Sequence, residues 1–476
     1  MLYRILILLI MSSICRQVVG PQNVYVEKID SVRIRYDIKG TPKENIFFVK
    51  KHIIDGNDEV LGIIPREFEV KNAELFIKAK SPSLIYILYN DKKYPVYIAN
   101  NNNSITIDVN DTIPKLYYQG SDKFANQYLL ARQKILDEEY LNVRSLYSLS
   151  LDSFMNLNEK IEDRIIVLRE EYFDEIEDDG FKTFDYADIK SLITIRHILF
   201  SDYHNYFTKE RVEPLKNISE VKVEDFGYDT SCLLSKTYVD LVGMYLNYNV
   251  KNRIDCSKEE FENQQLCYFS AKFNIALSIF TNKEISEFFA IQTMIDALDY
   301  GLTDFFKTHL EEMKKQFSQS EYLKIAMWKE NALNSIEKGK KAPNIKFVRQ
   351  DSTSFQLNDL LGKVVYLNVW SLGCSSSVEE LSGINYLVNE FSDSSKYNFI
   401  NIYLDNDSNE QKRYLESSPI KGVNVTLSNI NDFSKKYFVN TLPRYIIINK
   451  EGMVESPYAS RPSSPELKAK LKSLVD

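Results

Sequence analysis

The run "KVVYLNVW", residues 363 to 370, constrains this chain more than any other stretch. It is almost continuously apolar, which a strand tolerates only when both faces of its sheet are covered. The helical pattern "VEELSGINYLVNEF" follows it, and "YNFINIYLD" supplies a second strand of the same kind. A polar helix, "NDSNEQKRYLES", comes next, then "RYIIINKEGMVESPY" as a hairpin turned at Lys450, Glu451 and Gly452, then a last helix, "SPELKAKLKSLV". Strand and helix in alternation, closed by a hairpin, describe an α/β layer with a mixed sheet.

The rest of the chain obeys other periods. At 476 residues it is too long for one hydrophobic core. From Val24 to about Tyr118 short runs alternate with turn residues: "VRIRYDI", "NIFFVKK", "ELFIKAK", "LIYILYN", "YPVYIAN" and "SITIDV", with "NNNS" at 101 to 104 as a turn. Such spacing predicts an antiparallel β-sandwich. Beyond Gly120 the period becomes 3.6, with Ile161, Ile165, Leu168, Tyr172 and Ile176 on one helix face and Ile285, Phe288, Ile291, Ile295 and Leu298 on another. The expected architecture is therefore multi-domain: residues 21–120 a β-sandwich, 121–337 an all-α domain, and 338–476 an α/β domain. The Lys-rich "EKGKKAP" before the last domain reads as a solvated linker.

Residues 1–20 carry Arg4, an apolar run from Ile5 to Met11 and then small residues, the pattern of an export signal and too short to span a bilayer. Cys15 opens a lipid-anchor alternative, the one route to a membrane that the sequence offers. A formal charge of −8, with no cluster of Lys and Arg, argues against a nucleic-acid partner. Export makes disulfides admissible, and Cys256 and Cys267, flanking "SKEEFENQQL", are candidates for a bridge. Cys232 reads as a buried, inert thiol. His197 and His204 lack the companions of a metal site, and the acidic "REEYFDEIEDDG" lacks a calcium loop's spacing, so neither a metal nor another cofactor is expected.

One stretch carries chemistry. Cys374 follows the apolar strand across Ser371, Leu372 and Gly373, at the start of the next helix. Free N–H groups and the helix macrodipole there favour the thiolate, the reactive form. Ser375, Ser376 and Ser377 offer hydrogen bonds but no second thiol to resolve a mixed disulfide.

The segment "GKKAPNIKFVRQDSTSFQLNDLLGKVVYLNVWSLGC" resembles the opening of the thioredoxin-like fold in TlpA-like and peroxiredoxin-like (AhpC/TSA-type) envelope redoxins. Asn368, Trp370 and Cys374 fall on the Asn, first Trp and nucleophilic Cys of that pattern, and Ser377 falls on its second Cys. The resemblance implies that Glu380 assists proton transfer. It also implies that Pro443 is the cis-proline beside the nucleophile, that Leu442 offers backbone groups to a substrate strand, and that Trp370 lies at the substrate surface. It covers about 135 residues from Ala342 to the end and places the protein in the periplasm or envelope of a Gram-negative bacterium. The β and helical parts resemble, in layout alone, the N-terminal regions of exported TlpA-like proteins. Three departures bear on function: Gly373 stands where the family has Trp, Ser376 where it has Pro, and Ser377 where it has Cys.

Two readings follow. In the first, Cys374 is the nucleophile of a monothiol thiol-disulfide oxidoreductase or isomerase, supported by Ser377, Glu380, Pro443 and Leu442 and acting on protein thiols or disulfides. In the second, the fold persists as a non-catalytic binding or assembly module. Reduction of peroxide by a single cysteine is a third course, for which "SLGCSSS" holds neither the Thr nor the Arg expected beside a peroxidatic thiol.

Overall fold

The computed structural model describes residues 31–51, 58–64, 72–78, 82–90, 92–99, 103–111, 113–222, 229–259, 261–318, 320–404, 408–439 and 441–475. The expected export signal and Cys15 lie outside them. The chain divides into two compact units, one ending at Gln292 and the other running from Thr293 to the C-terminus.

Among the described residues eight strands open the first unit: β1 (Ser31–Lys39), β2 (Ile46–Lys51), β3 (Asp58–Ile64), β4 (Asn72–Lys78), β5 (Ser83–Tyr89), β6 (Lys92–Ile98), β7 (Asn103–Asp108) and β8 (Lys115–Gln119). They form two four-stranded sheets, ordered β4-β1-β7-β8 and β3-β2-β5-β6. Alternation does the sorting: Ile85, Ile87 and Tyr89 of β5 and Ile105 and Ile107 of β7 are buried and join Phe48, Val96 and Tyr118 in one apolar cluster drawn from both sheets. The expectation of purely antiparallel pairing fails at β1 and β7, which run parallel. Between them the chain builds other strands, and after so long a crossover it re-enters the sheet in its original direction. The "NNNS" turn is also shorter than expected. Asn103 and Ser104 already belong to β7, and the Asn103 side chain donates to Asp122 Oδ2 at 2.6 Å while accepting from the Asp122 backbone N–H.

Helices follow: α1 (Lys123–Glu138), α2 (Val143–Tyr147), α3 (Leu151–Tyr172), α4 (Asp179–Thr208), α5 (Lys236–Arg253), α6 (Phe261–Ile279) and α7 (Lys283–Leu298), the last crossing into the second unit. Ile161, Ile165 and Leu168 face the core from α3 as the period requires. Ile176 is buried too, although it lies past the helix end. The acidic stretch contributes to the fold through Asp178. Asp178 caps α4 by accepting from Phe181 N–H and also accepts from Tyr97 Oη at 2.8 Å. A buried ion network crosses α1, α3 and α4. Arg132 and Arg169 both donate to Asp185, at 2.6 and 2.8 Å, Tyr128 Oη donates to it at 2.7 Å, and Arg132 reaches Asp188 at 2.9 Å.

Among the described residues no group of three or more His, Cys, Asp or Glu is placed to hold a metal ion. His204 Nδ1 lies 2.9 Å from the Tyr147 carbonyl, and His197 packs on the Phe154 ring. Burial, with Lys216 and Arg196 nearby, pushes the His197 imidazole below its ordinary value. The neutral form is the one the fold accepts, so this contribution is present above the unfolded-state pKa and is lost as pH falls through the lowered native value. Thermal melts stepped from pH 7 to pH 5 are expected to lose less stability in His197→Gln than in the parent, and equal losses would contradict this.

In the second unit α8 (Thr303–Gln316) and α9 (Glu321–Asn334) precede a seven-stranded sheet ordered β10-β9-β13-β12-β11-β14-β15. Its strands are β9 (Lys346–Arg349), β10 (Ser354–Gln356), β11 (Val364–Trp370), β12 (Tyr397–Tyr403), β13 (Val423–Leu427), β14 (Arg444–Ile448) and β15 (Val454–Ser456). The intervening helices are α10 (Ser375–Glu379), α11 (Leu381–Glu390), α12 (Ser408–Ser417), α13 (Ile430–Lys436) and α14 (Pro465–Ser473). Parallel pairing of β11 with β12 and of β12 with β13, and antiparallel pairing of β11 with β14, make the sheet mixed.

All seven residues of β11 are buried. Val365, Leu367 and Val369 pack with Phe433 and Tyr437 on one face, and Tyr366 and Trp370 pack with Ile384, Leu387 and Leu471 on the other. Each such aliphatic contributes about 1.5–3 kcal/mol by leaving water, so the strand that carries Cys374 is anchored from both sides. Three amides cross the sheet in register: Asn368 donates to Asn401 at 3.0 Å, and Asn401 donates to Asn424 at 3.1 Å.

"EKGKKAP" is not a solvated linker. Gly339 N donates to Val454 O, Val454 N to Lys340 O, and Ala342 N to Gly452 O, so its backbone lines the outer edge of β15. Lys338 and Lys470 both pair with Glu455, and Lys307 pairs with Glu337. The expected change of structure at 337 coincides with the interval between α9 and β9, yet α8 and α9 belong to the same compact unit as the sheet.

Candidate active site

The loop after β11 is wound tightly. Ser371 Oγ accepts from Gly373 N–H at 3.0 Å, and the Ser371 carbonyl accepts from Cys374 N–H at 3.3 Å. Cys374 is the N-cap of α10 in extended conformation, and its carbonyl accepts from Ser377 and Val378 N–H, at 3.0 and 3.1 Å. The continuous helix expected after the cysteine is broken at Glu380, which ends α10 and precedes α11.

The Cys374 sulfur meets polar groups from its own helix and from a distant loop. Its Sγ lies 3.2 Å from Ser376 Oγ and 3.5 Å from the Leu442 carbonyl oxygen, to which the thiol donates. Leu442 is joined to Pro443 by a cis peptide bond. The sulfur and the proline loop, 68 residues apart in sequence, are thus brought together. Cys374 is only 1% exposed. Ser377, where a second thiol would stand, is equally buried, and its Oγ has no hydrogen-bond partner among the described residues. The hydroxyl that does meet the sulfur belongs to Ser376, whereas sequence position alone points to Ser377.

Glu380 is turned to the chain beyond β15. Its carboxylate accepts from Ser463 N–H at 3.2 Å and from Ser463 Oγ at 3.0 Å, with Arg461 at 3.9 Å. It also acts electrostatically on the buried Tyr366 and Tyr445 hydroxyls, which burial above all holds well above the ordinary tyrosine range. Trp370 is not at the surface. Its side chain is fully buried on the other sheet face from the cluster that holds Cys374, against the rings of Tyr403 and Tyr414. Pleat parity sets the face, since residues of β11 alternate, and both faces of the strand are covered.

In the first unit Cys256 and Cys267 are joined by a disulfide, while Cys232 and Cys374 are in none. Burial first, then Asp229, pushes the Cys232 thiol up to about 12, which leaves it protonated and unreactive. Two groups at the site are not singled out by sequence patterns, Ser376 beside the sulfur and the buried Arg444 that follows Pro443. The signal for the second is a charge set between a proline and an apolar strand.

A family model described as Redoxin matches residues 337–471. Two relatives named thiol-disulfide oxidoreductase ResA, from Bacillus thuringiensis and Bacillus cereus, are each 25% identical over 140 residues, which is 29% of this chain and 80% of theirs. Among solved structures, the thioredoxin domain of a thiol-disulfide oxidoreductase from Bacteroides vulgatus is 24% identical, covering 30% of this chain and all of that one, with a TM-score of 0.28. A thiol:disulfide interchange protein from Bacteroides sp. is 23% identical, covering 30% of this chain and 91% of that one, with a TM-score of 0.27. With a mixed sheet that carries a cysteine at the end of a central strand, opposite a cis-proline, residues 337–471 are a redoxin domain of the thioredoxin fold.

Proposed function

We propose that this chain is an exported monothiol thiol-disulfide oxidoreductase or isomerase with Cys374 as its nucleophile. The observation that carries the reading is the contact between Cys374 Sγ and the Leu442 carbonyl beside cis-Pro443. It puts the sulfur next to the backbone edge where an extended substrate strand would pair. The 25% identity to thiol-disulfide oxidoreductases named ResA supports protein thiols or disulfides as the substrate class.

In the forward step the Cys374 thiolate attacks one sulfur of a substrate disulfide. The Cys374–substrate S–S bond forms, the substrate S–S bond breaks, and the departing sulfur leaves as a thiolate. Before attack the thiol must give up its proton and its bond to Leu442 O; Ser376 Oγ can then donate to the sulfur anion. Glu380, held by Ser463 at the break between α10 and α11, is the carboxylate proposed to move protons. With serine at 377 nothing within the motif resolves the mixed disulfide. Release falls to a second substrate thiol, which forms a new substrate disulfide and gives isomerisation, or to two external thiols in turn, the first freeing the substrate thiol and the second freeing Cys374 as their own disulfide forms, which gives net reduction.

We read the setting as the envelope of a Gram-negative bacterium, reached through residues 1–20, with Cys15 as an optional lipid anchor. The two N-terminal sheets are read as the faces of a β-sandwich. The divisions at 120 and 337 are read as joins between a β part, a helical part and the redoxin part.

The test is capture. Incubated with a peptide disulfide and quenched in acid, the full chain should carry the peptide on Cys374 as a mixed disulfide, and Cys374→Ser should carry none. Absence of any adduct in the parent, across pH 6 to 9, would leave the second reading, a binding module.

A further inference from the structure

Arg444 is a charged side chain in an unusual place. It directly follows Pro443 and opens β14, in register with Val369 of the strand that leads to Cys374. It is only 4% exposed. A guanidinium this deep is ordinarily met by a carboxylate. Among the described residues Arg444 has none: Nη2 donates to the Phe438 carbonyl at 3.1 Å, the guanidinium carbon stands 3.3 Å from the centre of the Tyr458 ring, and Nε has no partner. Phe438 has a left-handed backbone, with φ of 51°, where the chain turns out of α13 toward the proline. Lys329 of α9 lies over the Phe438 ring at 5.4 Å, so helix and turn meet at the same residue.

A buried cation that is poorly compensated is costly to keep, and a bland aliphatic would pack there without the cost. What the guanidinium does that an aliphatic cannot is reach back across six residues and join the two ends of the segment that presents Leu442. We propose that Arg444 is a positioning residue: by tying the start of β14 to the Phe438 carbonyl and seating on Tyr458, it holds the Leu442 carbonyl against the Cys374 thiol. The contact that covers the sulfur and the backbone edge that receives a substrate strand are then set by the same clamp. This deepens the oxidoreductase reading and rests on it only for the substrate half of the test.

The experiment uses the full chain in four variants: Arg444→Met, Arg444→Lys, Tyr458→Leu, and Leu471→Ala as a destabilising control on the opposite sheet face. Alkylation of Cys374 by iodoacetamide is followed against pH by peptide mass. In Arg444→Met the high-pH plateau rate, where ionisation no longer limits, is expected to rise about tenfold, the equivalent of one charge-assisted hydrogen bond. Arg444→Lys should fall between parent and Met, Tyr458→Leu should show a smaller rise, and Leu471→Ala should leave the plateau unchanged. With a peptide disulfide, Arg444→Met should raise KM and leave kcat, since docking geometry rather than the sulfur is altered.

An unchanged plateau in Arg444→Met overturns the proposal even if exchange activity is present. An equal rise in Leu471→Ala overturns it as well, because the effect would then be general loosening. A raised plateau in a protein that exchanges with no disulfide supports the clamp and removes the oxidoreductase reading. If Arg444→Met fails to fold, Tyr458→Leu and Arg444→Lys decide the question by the same plateau.

Discussion

Ser377→Cys is expected to give the chain a resolving thiol and to speed release of a peptide mixed disulfide from Cys374 by at least about a hundredfold, the advantage of a held over a diffusing nucleophile. Position 377 lies in the first helical turn, three residues after the N-cap, where neighbouring Cβ atoms stand about 5–6 Å apart and a small adjustment allows a disulfide. The substitution forfeits nothing at the site itself, because the Ser377 hydroxyl is buried and makes no hydrogen bond among the described residues. Sulfur also suits an apolar enclosure better than an unsatisfied hydroxyl, which is costly to bury. The measurement is single-turnover release of the leaving peptide from preformed adduct, with the 374–377 disulfide confirmed by mass. Release no faster than in the parent, from a folded protein, would mean that the bound sulfur and residue 377 do not face each other. Cys374 would then be no remnant of a dithiol site.

The second large effect concerns the other compact unit. Asp185 is fully buried and accepts from Arg132, Arg169 and Tyr128. Asp185→Ala would leave two guanidinium groups with much of their countercharge gone, and breaking a buried pair in this way costs about 3–5 kcal/mol. For a unit of this size that corresponds to a fall in unfolding temperature of roughly 10 °C. Arg132 keeps Asp188 at 2.9 Å, and Asp188 also accepts from Ser235 and Thr237, which is why collapse is not expected. Replacing Asp185 by Leu and both Arg132 and Arg169 by Met should recover much of the loss, since an apolar cluster removes the desolvation burden and Asp188 keeps its bonds from Ser235 and Thr237. Hydrogen exchange across α1, α3 and α4 would report both effects. A single mutant within about 0.5 kcal/mol of the parent, the range of ordinary surface changes, would show that the network is ornamental.

What can be read from the sequence depends on how locally the information is stored. The run at 364 to 370 needs no distant partner to be understood, because a stretch that is apolar at every position but Asn368 admits a doubly covered strand and little else, and Cys374 follows from it by position. The link between Cys374 and Leu442 spans 68 residues and is visible only through a family pattern. Side-chain destination is the weak point. Trp370 is expected at the surface by analogy, yet simple alternation along β11 already assigns it to the same face as Tyr366 and Asn368. Ser376 is hidden in a run of three serines whose directions no spacing rule separates. The parallel pairing of β1 with β7 is beyond reach because it depends on where the chain re-enters a sheet, a matter of topology that strand composition does not encode. "EKGKKAP" misleads because its charge suggests solvation, whereas its ladder along β15 runs through the backbone, which every residue possesses, and Lys338 pairs with Glu455.

The amide row across β11, β12 and β13 has a consequence for how this sheet finds its alignment. Alternation forbids a slip of one residue, because every apolar side chain would change faces. It is silent about a slip of two, which leaves every side chain on its own face. In the native pairing Tyr366 meets Phe399, Asn368 meets Asn401, and Trp370 meets Tyr403. Displaced by two, Asn368 would face Phe399 or Tyr403 and Asn401 would face Tyr366 or Trp370, each amide stranded against a ring. The row therefore works as a checksum: it contributes little to the sum of burial but rejects the nearest wrong answer, and so decides which loop residue ends up opposite the proline.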